Sequence, residues 1–359
     1  QAPQAFIDPY MGTYDEGWDA IRGARQRRAA ALGVIPPDVA MVGMPTTGDW
    51  RALDADQRRY EAKRMAVYAG MVEAMDHHIG RLVSYLKSQA QFDNTIFIFT
   101  SDNGAEASGP ADPSAFINRQ QTRSLGYQTD YETLGLKGSY NTISPSFASA
   151  AVSPLAYYKF YAGEGGMRVP LIVAGESLPQ QGVLSDAFTF VTDITPTILS
   201  LAGVQPPDGR YGGRPVEAMI GRDLSPVLVG NAERVYGADD AVGYELAGNA
   251  ALFQGDYKIV VNRKPLGDGE WRLFNIKKDP GETRDLAQEE PARLQQMLSA
   301  YEQYQRANKV LDMPAGYGHI KQLLINTLHQ QFRTPLLVGL LTLLILLPFL
   351  VAYLSRRKP

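Results

Sequence analysis

Asp102 and Asn103 are the residues whose types and position point most directly to chemistry. They lie in Ser101-Asp102-Asn103-Gly104, directly after the apolar run Thr95-Ile-Phe-Ile-Phe-Thr100. That run is rich in β-branched and aromatic residues and predicts a buried strand, which Gly104 would end with a turn. Ligands of open α/β sheets bind beyond the carboxyl ends of strands, and carboxylate and amide oxygens suit Ca²⁺ or Mg²⁺. The stretch therefore predicts two ligands of a divalent-metal site, although Asp-Asn-Gly is also common turn chemistry.

Lys159 is the candidate for binding an anion. It precedes a glycine pair by six residues in the segment Lys159-Phe-Tyr-Ala-Gly-Glu164-Gly-Gly-Met-Arg168-Val-Pro-Leu-Ile-Val173. A fixed ammonium group stabilises the negative charge that develops on a transferring group. Lys137 is a competing candidate farther from the glycine pair, and Lys159 could instead extend along an apolar face. Glu164 and Arg168 are expected to hold the loop between Lys159 and the strand that follows.

Periodicity predicts the elements that must position these residues. They are a long amphipathic helix over 54–89, strands over 95–100 and 169–174, a helix over 193–202, an antiparallel meander over 251–274 and a covering helix over 289–308. Asp193 is predicted to cap its helix, with Gly203 just beyond the other end. The pattern indicates an α/β protein.

Composition excludes several classes of function. The formal net charge of −3 gives no basic excess, so we expect no nucleic-acid partner. The absence of cysteine excludes disulfides and thiolate metal sites. A hydrophobic content of 45% indicates a folded chain.

The C-terminal region predicts a membrane anchor. Residues 335–354 carry no charge and would form a helix about 30 Å long, which matches the hydrocarbon core of a bilayer. Arg356, Arg357 and Lys358 follow at once, so this end is expected in the cytoplasm. We therefore expect a membrane-anchored protein whose main domain lies on the periplasmic, extracytoplasmic side.

The order of these motifs resembles the type I sulfatases, the arylsulfatase branch of the alkaline phosphatase superfamily. The resemblance extends over roughly residues 1 to 305 and is strongest for bacterial arylsulfatases. Four segments carry it: 101–104, 159–173, 191–203 and Leu273-Phe-Asn-Ile-Lys-Lys-Asp-Pro-Gly-Glu-Thr-Arg-Asp-Leu-Ala287. The resemblance implies a mixed sheet flanked by helices, with a small C-terminal antiparallel α+β subdomain.

The resemblance also implies a reaction, the hydrolysis of sulfate monoesters. In it, Asp102 and Asn103 match metal ligands for Ca²⁺, with Mg²⁺ as the alternative, and Lys159 matches a lysine that contacts the sulfate. The formylglycine nucleophile of the family arises in a Cys/Ser-x-Pro-x-Arg motif, which this sequence lacks. We therefore expect the chain to correspond to the C-terminal portion of a sulfatase. The nucleophile and half of the metal ligands would then lie upstream, and the isolated chain should be inactive.

Domain boundaries and two alternative functions complete the expectations. The predicted divisions are a catalytic part over 1–204, a linker over 205–232, a subdomain over 233–310, a juxtamembrane segment over 311–334, a transmembrane helix over 335–354 and a basic tail over 355–359. The first alternative is a phosphate or phosphonate monoester hydrolase of the same superfamily. The second is a non-catalytic, membrane-anchored module with a sulfatase-like fold.

Overall fold

The computed structural model describes residues 1–107, 116–314 and 316–355. The helices are α1 (Gln4–Ile7), α2 (Gly17–Ala31), α3 (Ala55–Ser88), α4 (Phe116–Ser124), α5 (Ser144–Ala151), α6 (Glu164–Met167), α7 (Ile194–Leu201), α8 (Ser225–Leu228), α9 (Pro291–Asn308) and α10 (His319–Ser355). The strands are β1 (Phe97–Thr100), β2 (Leu171–Ala174), β3 (Arg210–Tyr211), β4 (Arg214–Pro215), β5 (Ala241–Leu246), β6 (Asn249–Gln254), β7 (Tyr257–Val261) and β8 (Arg272–Asn275).

Strands β1 and β2 set the geometry of the candidate site. They pair antiparallel, with Phe97 opposite Ala174 and Thr100 opposite Leu171. The residues that follow β1 therefore lie at the same end of the sheet as the residues that precede β2. The two predicted strands are confirmed, but they form a two-stranded sheet, and the described residues contain no wider mixed sheet.

An aromatic core lies beneath this end of the sheet. The rings of Trp18 and Phe147 meet edge to face with centroids 5.6 Å apart, and Trp50 packs against both. Such edge-to-face pairs add to the stabilisation from buried area. Tyr158 and Tyr161 belong to the same buried cluster, so the segment that carries Lys159 rests directly on this core.

The C-terminal part contains the predicted antiparallel meander, extended by one strand. Strands β5, β6, β7 and β8 pair in sequence order, and α9 covers one face. Fully buried Leu252, Ile259 and Leu273 from the sheet contact Met297 of the helix. Successive side chains of a strand point to opposite faces of the sheet, so Leu252 and Ile259 face the helix while Phe253 and Val260 pack on the other face.

Helix α3 follows the predicted bounds closely but buries less than its apolar stripe suggested. Its start is fixed by a capping box in which Asp54 and Gln57 bond to each other's backbone amides. Met65 is buried, whereas Val72 and Leu82 are 44% and 50% exposed. Only the first part of the stripe is therefore covered by the residues that the structure describes.

Asp193 is the N-cap residue of α7, as predicted, but its side chain makes no capping hydrogen bond. Its carboxylate is fully buried and accepts hydrogen bonds from the Phe190 amide at 2.7 Å, the Arg222 amide at 2.8 Å and the Tyr236 hydroxyl at 2.5 Å. A buried carboxylate must be saturated with donors. One donor lies three residues before Asp193 and two lie in a later segment, and none comes from the first turn of the helix.

The predicted transmembrane helix requires correction. Among the described residues, no helix is both long enough and apolar enough to cross a bilayer. The prediction of a span over 335–354 is therefore wrong for the described chain, and the membrane-anchored location and membrane partner inferred from it are corrected as well. Residues 356–359 of the predicted basic tail lie outside the described residues.

Gly104 offers a direct test of how tightly the two strand ends meet. A Cβ atom added at this position would lie 1.8 Å from the carbonyl oxygen of Gly165, so the backbone would have to move. We expect Gly104→Ala to lower the free energy of unfolding by about 1–3 kcal/mol, the usual cost of overpacking. The measurement is urea unfolding of the full chain.

The matched control is Gly80→Ala in α3, where an added Cβ meets nothing within 4 Å. Alanine suits a helix interior better than glycine, so this substitution should raise the free energy of unfolding by roughly 0.5–1 kcal/mol. A Gly104→Ala chain as stable as the native chain would show that the two segments do not pack as described.

Candidate anion and metal site

Two segments, the β1 loop (residues 101–107) and the β2 loop (residues 157–170), form the candidate site. Backbone hydrogen bonds join them at two points. The Gly104 amide donates to the Gly166 carbonyl at 2.9 Å, and the Lys159 amide donates to the Ala105 carbonyl at 3.1 Å. The antiparallel pairing of β1 and β2 thus continues beyond the strand ends as a close contact between the two loops.

Gly104 makes this contact between the loops possible, and Gly166 lets the β2 loop fold closely on itself. An added Cβ at Gly166 would lie 2.3 Å from the carbonyl oxygen of Tyr161, as intolerable as the 1.8 Å contact at Gly104. Neither approach would leave room for a side chain, since real Cβ contacts are much longer. Gly104 therefore allows the two loops to approach each other, and Gly166 allows the tight path of the β2 loop.

Asp102 and Asn103 lie at the carboxyl end of β1, as the sequence predicts. Asp102 is exposed and Asn103 half-buried. The Ser101 hydroxyl donates to the Asn103 carbonyl at 2.9 Å and fixes the turn. Their oxygen donors suit a hard cation. No group of three or more His, Cys, Asp or Glu residues within the described ranges could hold a metal, so this pair supplies only part of a coordination shell.

Lys159 reaches the β1 loop with its side chain as well as its backbone. Its Nζ lies 2.5 Å from Oε2 of Glu106, three residues beyond Asn103, and the two side chains are 31% and 41% exposed. The ammonium group also lies 5.4 Å from the centre of the Phe160 ring. The structure therefore brings Lys159 to the loop that carries Asp102 and Asn103, while the metal and sulfate roles of these residues remain predictions.

The backbone on either side of Lys159 has an unusual conformation. Tyr157 and Phe160 adopt φ angles of 64° and 79°, a region that bulky residues rarely occupy. The Tyr157 ring stacks on Tyr161 with centroids 5.3 Å apart. Burial raises the pKa of Tyr161 to about 12, so this phenol stays protonated near neutral pH. These tyrosines pack the β2 loop onto the core.

Lys137, the competing candidate, belongs to a different part of the surface. It is exposed and follows Leu134, which packs in a cluster with Ile7 and Val67. The cluster beneath the β2 loop contains none of these residues. The surroundings of Lys137 thus favour Lys159 as the lysine of the site.

Three charged residues that contact the β2 loop escaped the sequence reasoning, namely Glu106 at Lys159 and the pair Lys258 and Glu282 at Glu164. Glu106 carries no pattern that would single it out. Lys258 offered a signal, because a charged residue in the middle of a strand as apolar as Tyr257–Val261 is unusual. Glu282 lies in the Asp-Pro-Gly-Glu segment that contributed to the resemblance, but no role was inferred for it.

Comparison with known proteins agrees with the resemblance. The family model described as Sulfatase matches residues 1–204. An uncharacterized sulfatase of Schizosaccharomyces pombe is 34% identical over 319 residues, which cover 88% of this chain and 57% of the relative. An arylsulfatase of Klebsiella aerogenes is 32% identical over 230 residues, covering 63% of this chain and 48% of the relative.

Among solved structures, a protein in complex with its substrate D-glucosamine-2-N,6-O-disulfate superposes with a TM-score of 0.46 at 21% identity, covering 72% of this chain and 44% of that one. The chain spans about half the length of the two sequence relatives, 57% and 48% respectively. The family model alone covers more than half of the chain. The chain belongs to the sulfatase family.

Proposed function

We propose that the whole protein hydrolyses sulfate monoesters in the manner of an arylsulfatase. The contact between the β1 and β2 loops supports this proposal, because Lys159 of the β2 loop touches the loop that contains Asp102 and Asn103. Membership of the sulfatase family and the arylsulfatase among the relatives support the same reaction.

Lys159 would bind the sulfate group. Its ammonium group would stabilise the negative charge that develops on the sulfate oxygens as the ester bond breaks. Glu106 now holds that ammonium at 2.5 Å, at a position that solvent can reach. An entering sulfate would replace or share the Glu106 carboxylate as the partner of Lys159.

Asp102 and Asn103 would hold part of a divalent-metal site, with Ca²⁺ as the proposed ion and Mg²⁺ as the alternative. Such an ion, when bound, supplies several kcal/mol of charge stabilisation to a reacting ester. Ca²⁺ takes about six to eight oxygen ligands, and these two residues supply two or three of them. Because the described residues do not complete a shell, we assign no catalytic step to the ion or to a formylglycine nucleophile.

The reaction itself is tested by comparing matched esters. We expect the whole protein to hydrolyse an aryl sulfate with a higher kcat/KM than the corresponding aryl phosphate, measured by release of the same phenol. A preference for the phosphate ester would overturn the proposal in favour of a phosphate monoester hydrolase. Absence of turnover of either ester would favour a non-catalytic role.

Lys159→Ala tests the lysine. Removing one group that stabilises a developing oxyanion costs about 10²–10³ in kcat, so we expect a loss of about that size in aryl sulfate turnover. Lys137→Ala is the control and should leave kcat/KM within about twofold of the native value, since distant surface substitutions have small effects. If Lys137→Ala is the variant that abolishes activity, the two lysines have been assigned in the wrong order.

Asp102→Asn tests the metal. Because charge count tunes affinity for Ca²⁺, losing one carboxylate should raise the Ca²⁺ concentration needed for half-maximal turnover by about tenfold or more. The measurement is aryl sulfate hydrolysis after removal of metal by a chelator and titration with Ca²⁺. Asp93→Asn, in the turn before β1, is the matched control and should titrate like the native protein. Activity that resists the chelator would contradict a metal at Asp102.

A further inference from the structure

The C-terminal sheet buries three polar side chains, each of which bonds to a group outside the sheet. Asn249 of β6, Lys258 of β7 and Asn262 just after β7 are all buried, Asn249 and Lys258 completely. Buried polar groups are costly unless they are hydrogen-bonded. Their partners therefore show what these positions do.

Their partners in the β2 loop are Phe160, Ala162 and Glu164, which are one, three and five positions after Lys159. The Asn249 amide group donates to the Phe160 carbonyl at 2.6 Å. The Ala162 amide donates to the Asn262 side chain at 2.8 Å. Two positions further on, the Glu164 amide donates to the Glu282 carboxylate at 2.9 Å. The loop is thus held along the backbone that begins directly after Lys159.

An ion triad completes these contacts. Nζ of Lys258 lies 3.0 Å from Glu164 and 2.8 Å from Glu282, and all three side chains are 5% exposed or less. Burial alone lowers the pKa of Lys258, but the two carboxylates more than offset this and its pKa lies above the usual value. Burial raises the pKa of Glu282, an effect that Lys258 opposes and Glu164 reinforces. Because a lone buried charge is strongly destabilising, the triad fixes Glu164 in one place.

The backbone conformation of the loop indicates why such restraint is needed. Tyr157 and Phe160 hold positive φ angles on either side of Lys159. Backbone of this kind persists only where the surroundings over-determine it. Hydrogen bonds from the sheet at Phe160, Ala162 and Glu164 supply that restraint on one side of Lys159.

We infer that Asn249, Lys258, Asn262 and Glu282, hereafter the clamp, are positioning residues for sulfate ester hydrolysis, which hold Phe160–Glu164 so that the Lys159 ammonium points at the β1 loop. This inference rests on the proposed function, because it assigns the clamp a role through Lys159. A clamp that only joined two parts of the fold would affect stability without acting through that side chain.

The experiment is a double-mutant cycle in the whole protein. Asn249→Ala removes the donor to Phe160, together with the acceptor of the Arg263 amide after β7. A displacement of the order of 1 Å at a catalytic group costs about 10- to 100-fold in rate. We expect kcat/KM for an aryl sulfate to fall by that factor in the native background. In the Lys159→Ala background the same substitution should change kcat/KM by less than about twofold, since coupled residues are not additive.

Two further variants complete the set. Asn262→Leu removes the acceptor for the Ala162 amide while keeping a side chain of similar size. It repeats the test at a second position, so the outcome does not depend on one substitution being tolerated. Asn275→Ala is the matched control on the same sheet. Its side chain accepts from the Lys278 amide, and the substitution should leave turnover unchanged.

Amide hydrogen exchange gives a second measurement that does not require turnover. Asn249→Ala should speed exchange in residues 159–164 while strands β7 and β8 keep their protection. Unchanged exchange in 159–164, or equal losses of kcat/KM in both backgrounds, would overturn the inference. If the native protein hydrolyses no sulfate ester, the proposed function fails, and the exchange measurement alone decides whether the sheet holds the loop.

Discussion

Lys258 has no contact with solvent, and a buried ammonium group must meet negative charge. The two carboxylates that meet it come from positions 164 and 282, one on each side of it along the chain. Any other arrangement of the C-terminal sheet against the β2 loop would leave at least one of the three charges unpaired in the interior. A buried triad of this kind therefore contributes more to the choice of one docking geometry than to net stability.

That geometry reaches the candidate site through the β2 loop. The sheet restrains Phe160, Ala162 and Glu164 from one side. From the other side, backbone groups of the β1 loop bond to Lys159 and Gly166, and the absence of a side chain at Gly104 allows this close approach. Lys159 lies between the two sets of restraints. Its position is thus a joint product of segments that are far apart in the sequence.

Sequence reasoning succeeded where the determinants were local. The β-branched and aromatic run before Asp102 does form β1, and the Asp54 cap does start the long helix α3. It failed where distant groups decide. Asp193 stands at the N-cap position that its neighbours indicate, but its carboxylate accepts hydrogen bonds from Arg222 and Tyr236 and none from the first turn of the helix.

The site residues divide in the same way. Asp102 and Asn103 could be found because a strand end and oxygen donors are both visible locally. The partnership of Glu164 with Lys258 could not be found, since it joins residues 94 positions apart and depends on how the sheet docks. Glu164 was expected to hold its loop, yet nothing local identified what it would hold to.

The two ion pairs near Lys159 differ in what it costs to break them. The pair between Lys159 and Glu106 is partly exposed, and pairs of that kind contribute about 0–1 kcal/mol. Removing one partner from a buried pair such as Lys258 with Glu164 costs about 3–5 kcal/mol, because a charge is left unpaired in the interior. The backbone of the β2 loop is therefore fixed by the contacts that are hard to break, while the ammonium group of Lys159 is held by one that is easy to exchange. A site that must bind and release an anion needs that division, with a rigid support for the lysine and a replaceable carboxylate at its tip.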